Sequence, residues 1–348
     1  MPSSTSSSRR GALRSEDNVG GRDWHWARVF AAALVMAASL LGMWEGYWRS
    51  NGFVPSVVDN LGVWAVERGR AIDLGRDGVA LMGASRIMLG CNPDVFTEAS
   101  GKEAVMLAID GSNPLPVLED LAGDQQFSGD VVCSFIPRFL ADGAVDKAGR
   151  AEKWVRKHKD LKWSSFINTR LAVLVQANFA FRYSGLAPGE ILDEALEDDR
   201  PKPPWAPMRP DRHRFAVFSR IDVRELYRDR VEREHEVAEK AQPLSEKAFG
   251  DRVARIREWV ETLEARGSRV AFVRFPSSGG VLEVERDLWP RDRYWDVFAK
   301  NVGAPCVHYA DHPELSRYRC PDGSHLRGED ARPFTRDLAR ILGSRFGG

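Results

Sequence analysis

Ser85, Asp322 and His325 are the residues whose types and spacing point most directly to chemistry. Ser85 closes the run GVALMGAS (78 to 85), in which a glycine permits a tight turn and a hydroxyl falls at the end of an apolar segment. A serine so placed is a candidate nucleophile, although the position equally suits the N-cap of a following helix. A nucleophile needs a base. Of the seven histidines, only His325 has an aspartate three residues before it, in Cys320-Pro-Asp322-Gly-Ser-His325. One loop can hold that pair, the carboxylate orienting the imidazole that would take the serine proton. The chemistry implied is acyl transfer through a serine ester.

Other constellations are weaker. Arg86, Arg138 and Arg274 each follow an apolar run and suit pairing with carboxylates of an acidic glycan, or plain solvation. Of these, Arg86 and Arg274 are carried forward as candidate substrate-binding residues. Cys306, His308, His312 and Cys320 can be drawn as a zinc site, but His308 falls inside a predicted strand, where alternate residues face opposite ways. A disulfide or two buried thiols fit that series better, and no metal is assigned. Glu232-x-x-His235 resembles half of a di-iron motif without a second copy, so a solvated helix face is expected. Neither G-x-G-x-x-G nor G-x-x-x-x-G-K-[ST] occurs, which removes the usual sequence signs of dinucleotide or nucleoside triphosphate binding.

The elements that must position these residues are legible as alternating runs. Five short apolar stretches, at 78 to 85, 104 to 111, 130 to 137, 268 to 276 and 304 to 311, are continuous rather than alternating. That pattern belongs to parallel strands covered on both faces. Helical patterns lie between them at 114 to 122, 252 to 267 and 329 to 344, and an amphipathic connector spans 55 to 71. A doubly wound, mostly parallel α/β sheet of five strands follows. Residues of about 140 to 250 interrupt the rhythm with charged helical sequence and the proline-rich stretch RPKPPWAPMRP (200 to 210), read as a linker within an insertion or lid.

With strands and loops in that order, the chain resembles the SGNH (GDSL-like) hydrolase family. Its members carry a nucleophilic serine in a G-x-S turn after the first strand and a D-x-x-H motif before the last helix. Gly83 to Ser85 and Asp322 to His325 match both. The resemblance covers roughly 78 to 137 and 268 to 344, and implies a flavodoxin-like SGNH fold with Ser85, Asp322 and His325 as a triad. It further implies an oxyanion hole from the backbone amides of Ser85 and Gly111, and no cofactor. The family's G-x-N-D block after the third strand is absent; Phe135-Ile136-Pro137-Arg138 stands there. Asn113 is the candidate substitute donor, or else a turn residue before Pro114. Membrane-anchored relatives such as periplasmic polysaccharide O-acetyltransferases and the teichoic acid D-alanylation protein also depart from the four-block pattern. The expected activity is that of an acyl esterase or O-acyltransferase, with an acylated polysaccharide or other envelope ester as partner. The alternatives are a non-catalytic glycan-binding or scaffold component of polysaccharide export machinery, and a flavodoxin-like binding domain with an accidental Ser and His.

An anchor precedes this domain. VFAAALVMAASLLGMW (29 to 44) is uncharged and flanked by Trp24, Trp26, Trp44, Tyr47 and Trp48, so 24 to 48 reads as a transmembrane segment. Arg9, Arg10, Arg14, Arg22 and Arg28 precede it, which by the positive-inside rule keeps the N-terminus cytoplasmic. Residues 1 to 22 are expected to be a disordered cytoplasmic tail, and 55 to 348 an extracytoplasmic domain, periplasmic in a Gram-negative source. The four cysteines form no C-x-x-C pair, which argues against zinc ribbons, and outside the cytoplasm they suit one or two disulfides in any of three pairings. Fifty basic and fifty acidic residues leave no net charge, so no nucleic-acid partner is expected.

Overall fold

A computed structural model describes residues 19 to 146, 149 to 196 and 200 to 346. Of the tail expected at 1 to 22, residues 1 to 18 lie outside the described residues, and 19 to 22 belong to a helix that begins at Val19. The chain divides into two compact units, one ending at Ser50 and one beginning at Asn51.

The described residues of the first unit form a single helix, α1 (Val19–Ser50). Its 32 residues give a length of about 48 Å. The stretch His25–Ser50 is long and apolar enough to cross a membrane, and Phe30, Leu34, Val35 and Leu41 point outward with most of their surface exposed. Trp44, Tyr47 and Trp48 pack ring against ring near its end.

The second unit is built on five parallel strands: β1 (Gly78–Met82), β2 (Glu103–Met106), β3 (Asp130–Ser134), β4 (Val270–Arg274) and β5 (Cys306–His308). Their order is β2-β1-β3-β4-β5. Alternation along each strand feeds two cores. Ala80, Met82, Val131, Cys133 and Phe272 enter one; Val79, Leu81, Val132, Ala271 and Val273 enter the other. Each fully buried side chain of this kind contributes on the order of 1.5–3 kcal/mol, which is why both faces of the sheet are roofed by helices.

The first face is covered by α2 (Leu61–Asp73), and the second by α3 (Ser85–Gly90) and α4 (Pro93–Ser100). Then α5 (Leu115–Gly123) returns to the first face and α6 (Pro137–Ala141) follows β3. The region between β3 and β4 adds α7 (Arg150–His158), α8 (Trp163–Asn178), α9 (Pro188–Leu196), α10 (Val223–Glu239) and α11 (Glu246–Glu264). Beyond β4 come α12 (Gly279–Leu288), α13 (Trp295–Asn301), α14 (Pro313–Ser316) and α15 (Gly328–Phe346). Side-chain caps fix several starts: Asn60 accepts from Val63 N, Asn92 from Val95 N and Ser245 from Ala248 N.

The α/β class, the five strands and their parallel sense agree with the sequence reading. Two local expectations need correction. The connector helix begins at Leu61, so Val58 belongs to the extended lead-in. The proline-rich stretch is no linker. Met208 exchanges backbone bonds with the lead-in, accepting from Val57 N at 2.9 Å and donating to Ser56 Oγ at 3.1 Å. Just beyond it Arg212, fully buried, forks onto both oxygens of Asp59 at 2.9 Å and reaches Met106 O at 2.8 Å. A segment barred from helix by its prolines is held as a strap by one arginine satisfied on both sides.

Candidate active site

The carboxyl ends of β1, β2, β3 and β4 converge on one edge of the sheet, where open parallel sheets take their ligands. Gly83 turns the chain out of β1 with φ +149, and a Cβ there would lie 2.9 Å from both Cβ and O of Ser134. Only glycine fits. Ala84 is the N-cap of α3, so Ser85 is the first helical residue and not a cap. The Ser85 side chain is half-buried and its hydroxyl makes no hydrogen bond among the described residues.

The chain after β2 runs alongside this turn, since Leu107 N donates to Leu81 O at 2.8 Å and Ile109 N to Gly83 O at 3.0 Å. That places the Asp110 to Asn113 loop next to Ser85. Gly111 is exposed with φ +64. Asn113 Oδ1 accepts from Leu115 N at 3.0 Å, the turn role, which leaves its Nδ2 as the donor for any ligand.

The most ordered part of the edge is the loop before α15. Asp322 is fully buried; its Oδ1 accepts from Ser324 N at 3.0 Å and His325 N at 2.7 Å, and its Oδ2 from His325 Nδ1 at 2.7 Å. Proton on Nδ1 leaves Nε2 as a lone-pair acceptor, and Nε2 is buried without a partner among the described residues. Gly323, at φ +82, is required because a Cβ there would meet Val281 Cγ2 at 2.6 Å. Ser278 N donates to Gly323 O and Cys320 N to Ser278 Oγ, so the loop is clamped to the chain leaving β4. Arg86 Nε, one residue past Ser85, donates to Ser324 Oγ at 3.1 Å and ties α3 to this loop. The Ser85 to His325 hydrogen bond itself is not formed. Catalytic hydrogen bonds of this type often close only when substrate is bound.

Neither a protein-family model nor a curated protein matches this sequence.

Electrostatics distinguish the members of the edge. Burial pushes the His325 imidazole below its ordinary value; Asp322 pulls it up, while the Arg230 and Arg86 cations push it further down. Burial alone would raise the Asp322 carboxyl, but His325 and Arg230 hold it well below the usual carboxylate range. Arg230 comes from α10, its Nε 3.1 Å from Asp322 Oδ2, an ion pair not aligned as a hydrogen bond. One turn along the same helix, burial raises the Glu234 carboxyl, with Arg86 opposing and Glu285 adding to the rise. Trp205 of the strap covers the imidazole with ring centroids 6.1 Å apart. Arg230, Glu234 and Trp205 were absent from the sequence reading. Their only sequence signal is the spacing of Tyr227, Arg230 and Glu234 along one helix face, where Tyr227 Oη accepts from Gly280 N at 2.7 Å.

Arg86 and Arg274 are corrected from substrate-binding candidates to buried structural cations. Both converge on Glu285: Arg86 Nη2 at 2.6 Å from Oε1, and Arg274 Nη2 on Oε2, which Ser277 Oγ also reaches. Burial would raise the Glu285 carboxyl, yet the two guanidiniums bring it down to about 2. Removing one member of such a set leaves an uncompensated buried charge, so its role is to brace the edge. At the end of β3, Phe135 is locked between Phe272 and Phe298, and the side chain there that faces a cavity is Arg138.

Two adjoining cavities share Asp110 and Arg150. The larger, 740 Å³, is lined by Gly111, Asn113, Arg138, Arg252 and Trp259 among others. The smaller, 330 Å³, is lined by Asp59, Tyr183, Trp205 and Arg214 among others. The Cys306 to Cys320 series does not converge: among the described residues no three His, Cys, Asp or Glu side chains are gathered for a metal. The Cys91, Cys133 and Cys320 thiols are buried rather than paired. Glu232 and His235 are exposed on α10, as a solvated face requires.

Proposed function

We propose that the chain is a membrane-anchored, SGNH-type acyl esterase or O-acyltransferase acting on a cell-envelope or exported polysaccharide. The observation that carries this reading is the buried Asp322 to His325 hydrogen bond, which leaves Nε2 buried and without a partner among the described residues, beyond the same sheet edge at which Ser85 ends its strand turn. The glycine turn and the strand order support it further. In this scheme Ser85 Oγ attacks the ester carbonyl and His325 Nε2 takes its proton. The backbone amides of Ser85 and Gly111 receive the developing oxyanion. The alkoxide leaves with the proton from His325, and Ser85 holds the acyl group as an ester. Water as acceptor completes an esterase; a sugar hydroxyl completes a transferase. The aromatic and polar walls of the two cavities suit a glycan. The anchor is α1, with the N-terminus cytoplasmic and the α/β unit outside.

Ser85→Ala in the full chain should lower turnover of a small acetyl ester by a factor on the order of 10⁴ without changing the melting temperature. Undiminished activity would remove Ser85 from the mechanism. A second reading, a non-catalytic glycan-binding or scaffold component, draws on the unformed Ser85 to His325 bond and on Phe135 in place of a third-block donor. Labelling of Ser85 by a fluorophosphonate favours the enzyme; glycan binding without labelling favours the scaffold.

A further inference from the structure

The helix α8 has an apolar face that nothing in its own unit covers. Trp163 is 84% exposed, Ile167 59%, Leu171 57% and Leu174 61%, at spacings of four, four and three that align them on one side of the helix. The opposite side is docked, with Phe166 and Val173 packed against the cores. Four large apolar side chains in one exposed row form a patch that soluble surfaces rarely carry. Basic residues border it: Arg156, Lys157 and Lys162 are exposed just ahead of the helix and Arg170 lies beside the row. Apolar side chains flanked by lysine and arginine are what a helix lying in a lipid headgroup layer presents.

The covalent chain puts a bilayer within reach. The membrane-length helix ends at Ser50, and eight residues later Val58 N donates to Gln176 Oε1 of α8 at 3.0 Å. Eight residues span at most about 28 Å even when fully extended. The segment is held to its unit at Phe53, which is buried, and at Val57, whose N donates to Met208 O. We infer that α8 is a second membrane contact, lying on an anionic lipid surface with Trp163, Ile167, Leu171 and Leu174 in the acyl boundary. This rests on α1 as an anchor and is independent of the serine chemistry.

The test uses the full chain in nanodiscs of phosphatidylcholine and phosphatidylglycerol, with a benzophenone amino acid in turn at Leu171, at Ile167, at Leu34 of α1 and at exposed Arg257 of α11. The expected result is lipid adducts at Leu171 and Leu34 but not at Arg257, and loss of adducts at Ile167 in the Leu171→Asp, Leu174→Asp variant with unchanged melting. Adducts from Leu171 only to a second copy of the chain, or none while Leu34 labels lipid, overturn the proposal. Absence of lipid adducts at both positions overturns the anchor and the proposal with it.

Discussion

The two sides of the candidate site are built differently. On the β4 side, the loop of Asp322 and His325 is fixed by four contacts to one carboxylate, a glycine no other residue can replace and a brace of buried ions around Glu285. On the β2 side, the Gly111 loop and Arg138 line an open 740 Å³ cavity. Preorganised groups set rates, because they need no reorganisation as charge develops, whereas an open wall sets which substrates bind. The comparison predicts that substitutions on the first side fall on kcat and those on the second on KM.

The largest expected break is Asp322→Asn, which removes the acceptor that holds His325 in its Nδ1-protonated form. A loss in kcat on the order of 10⁴, with KM little changed, is the expected outcome by steady-state kinetics. Asn113→Ala sharpens the contrast from the other side. It should cost about 1 kcal/mol of stability through the lost turn bond to Leu115 and change kcat by less than about tenfold. A fall of about 100-fold or more would make the Asn113 carboxamide an oxyanion donor and move it to the rate-setting side. The smallest effect is a displacement of the pH profile. A base works when neutral, and burial with Arg230 and Arg86 holds His325 below its ordinary value, so activity should persist as pH falls through 6.5 and fail only below. Arg230→Met removes a repelling cation and frees Asp322 to stabilise the imidazolium, so the acidic limb should shift to higher pH. Arg230→Lys should restore the original limb, which a purely packing role would not.

Much of the first side was legible because it is local. Asp322 and His325 are three residues apart, and Ser85 follows a glycine at the end of an apolar run; such short-range patterns survive in a linear reading. The five strands were legible for a related reason, since continuous apolar runs reflect burial on both faces. What escaped was long-range. Arg230 and Trp205 reach the site from helices and a strap between β3 and β4 whose charged or proline-rich sequence looks solvated, and nothing adjacent in the chain reveals their partners. Arg86 and Arg274 misled for the same reason: a strand-end arginine resembles an exposed one until Glu285, far along the chain, is seen between them. The exposed row on α8 was hidden by its opposite, docked face, which makes the helix apolar on two sides.

The position of His325 just ahead of α15 also ties the candidate site to the docking of a distant helix. That helix packs against α3 and α4, the elements that follow Ser85 and complete the second core. The Ser85 turn and the Asp322–His325 loop therefore lean on one core, and loosening α15 should disturb both.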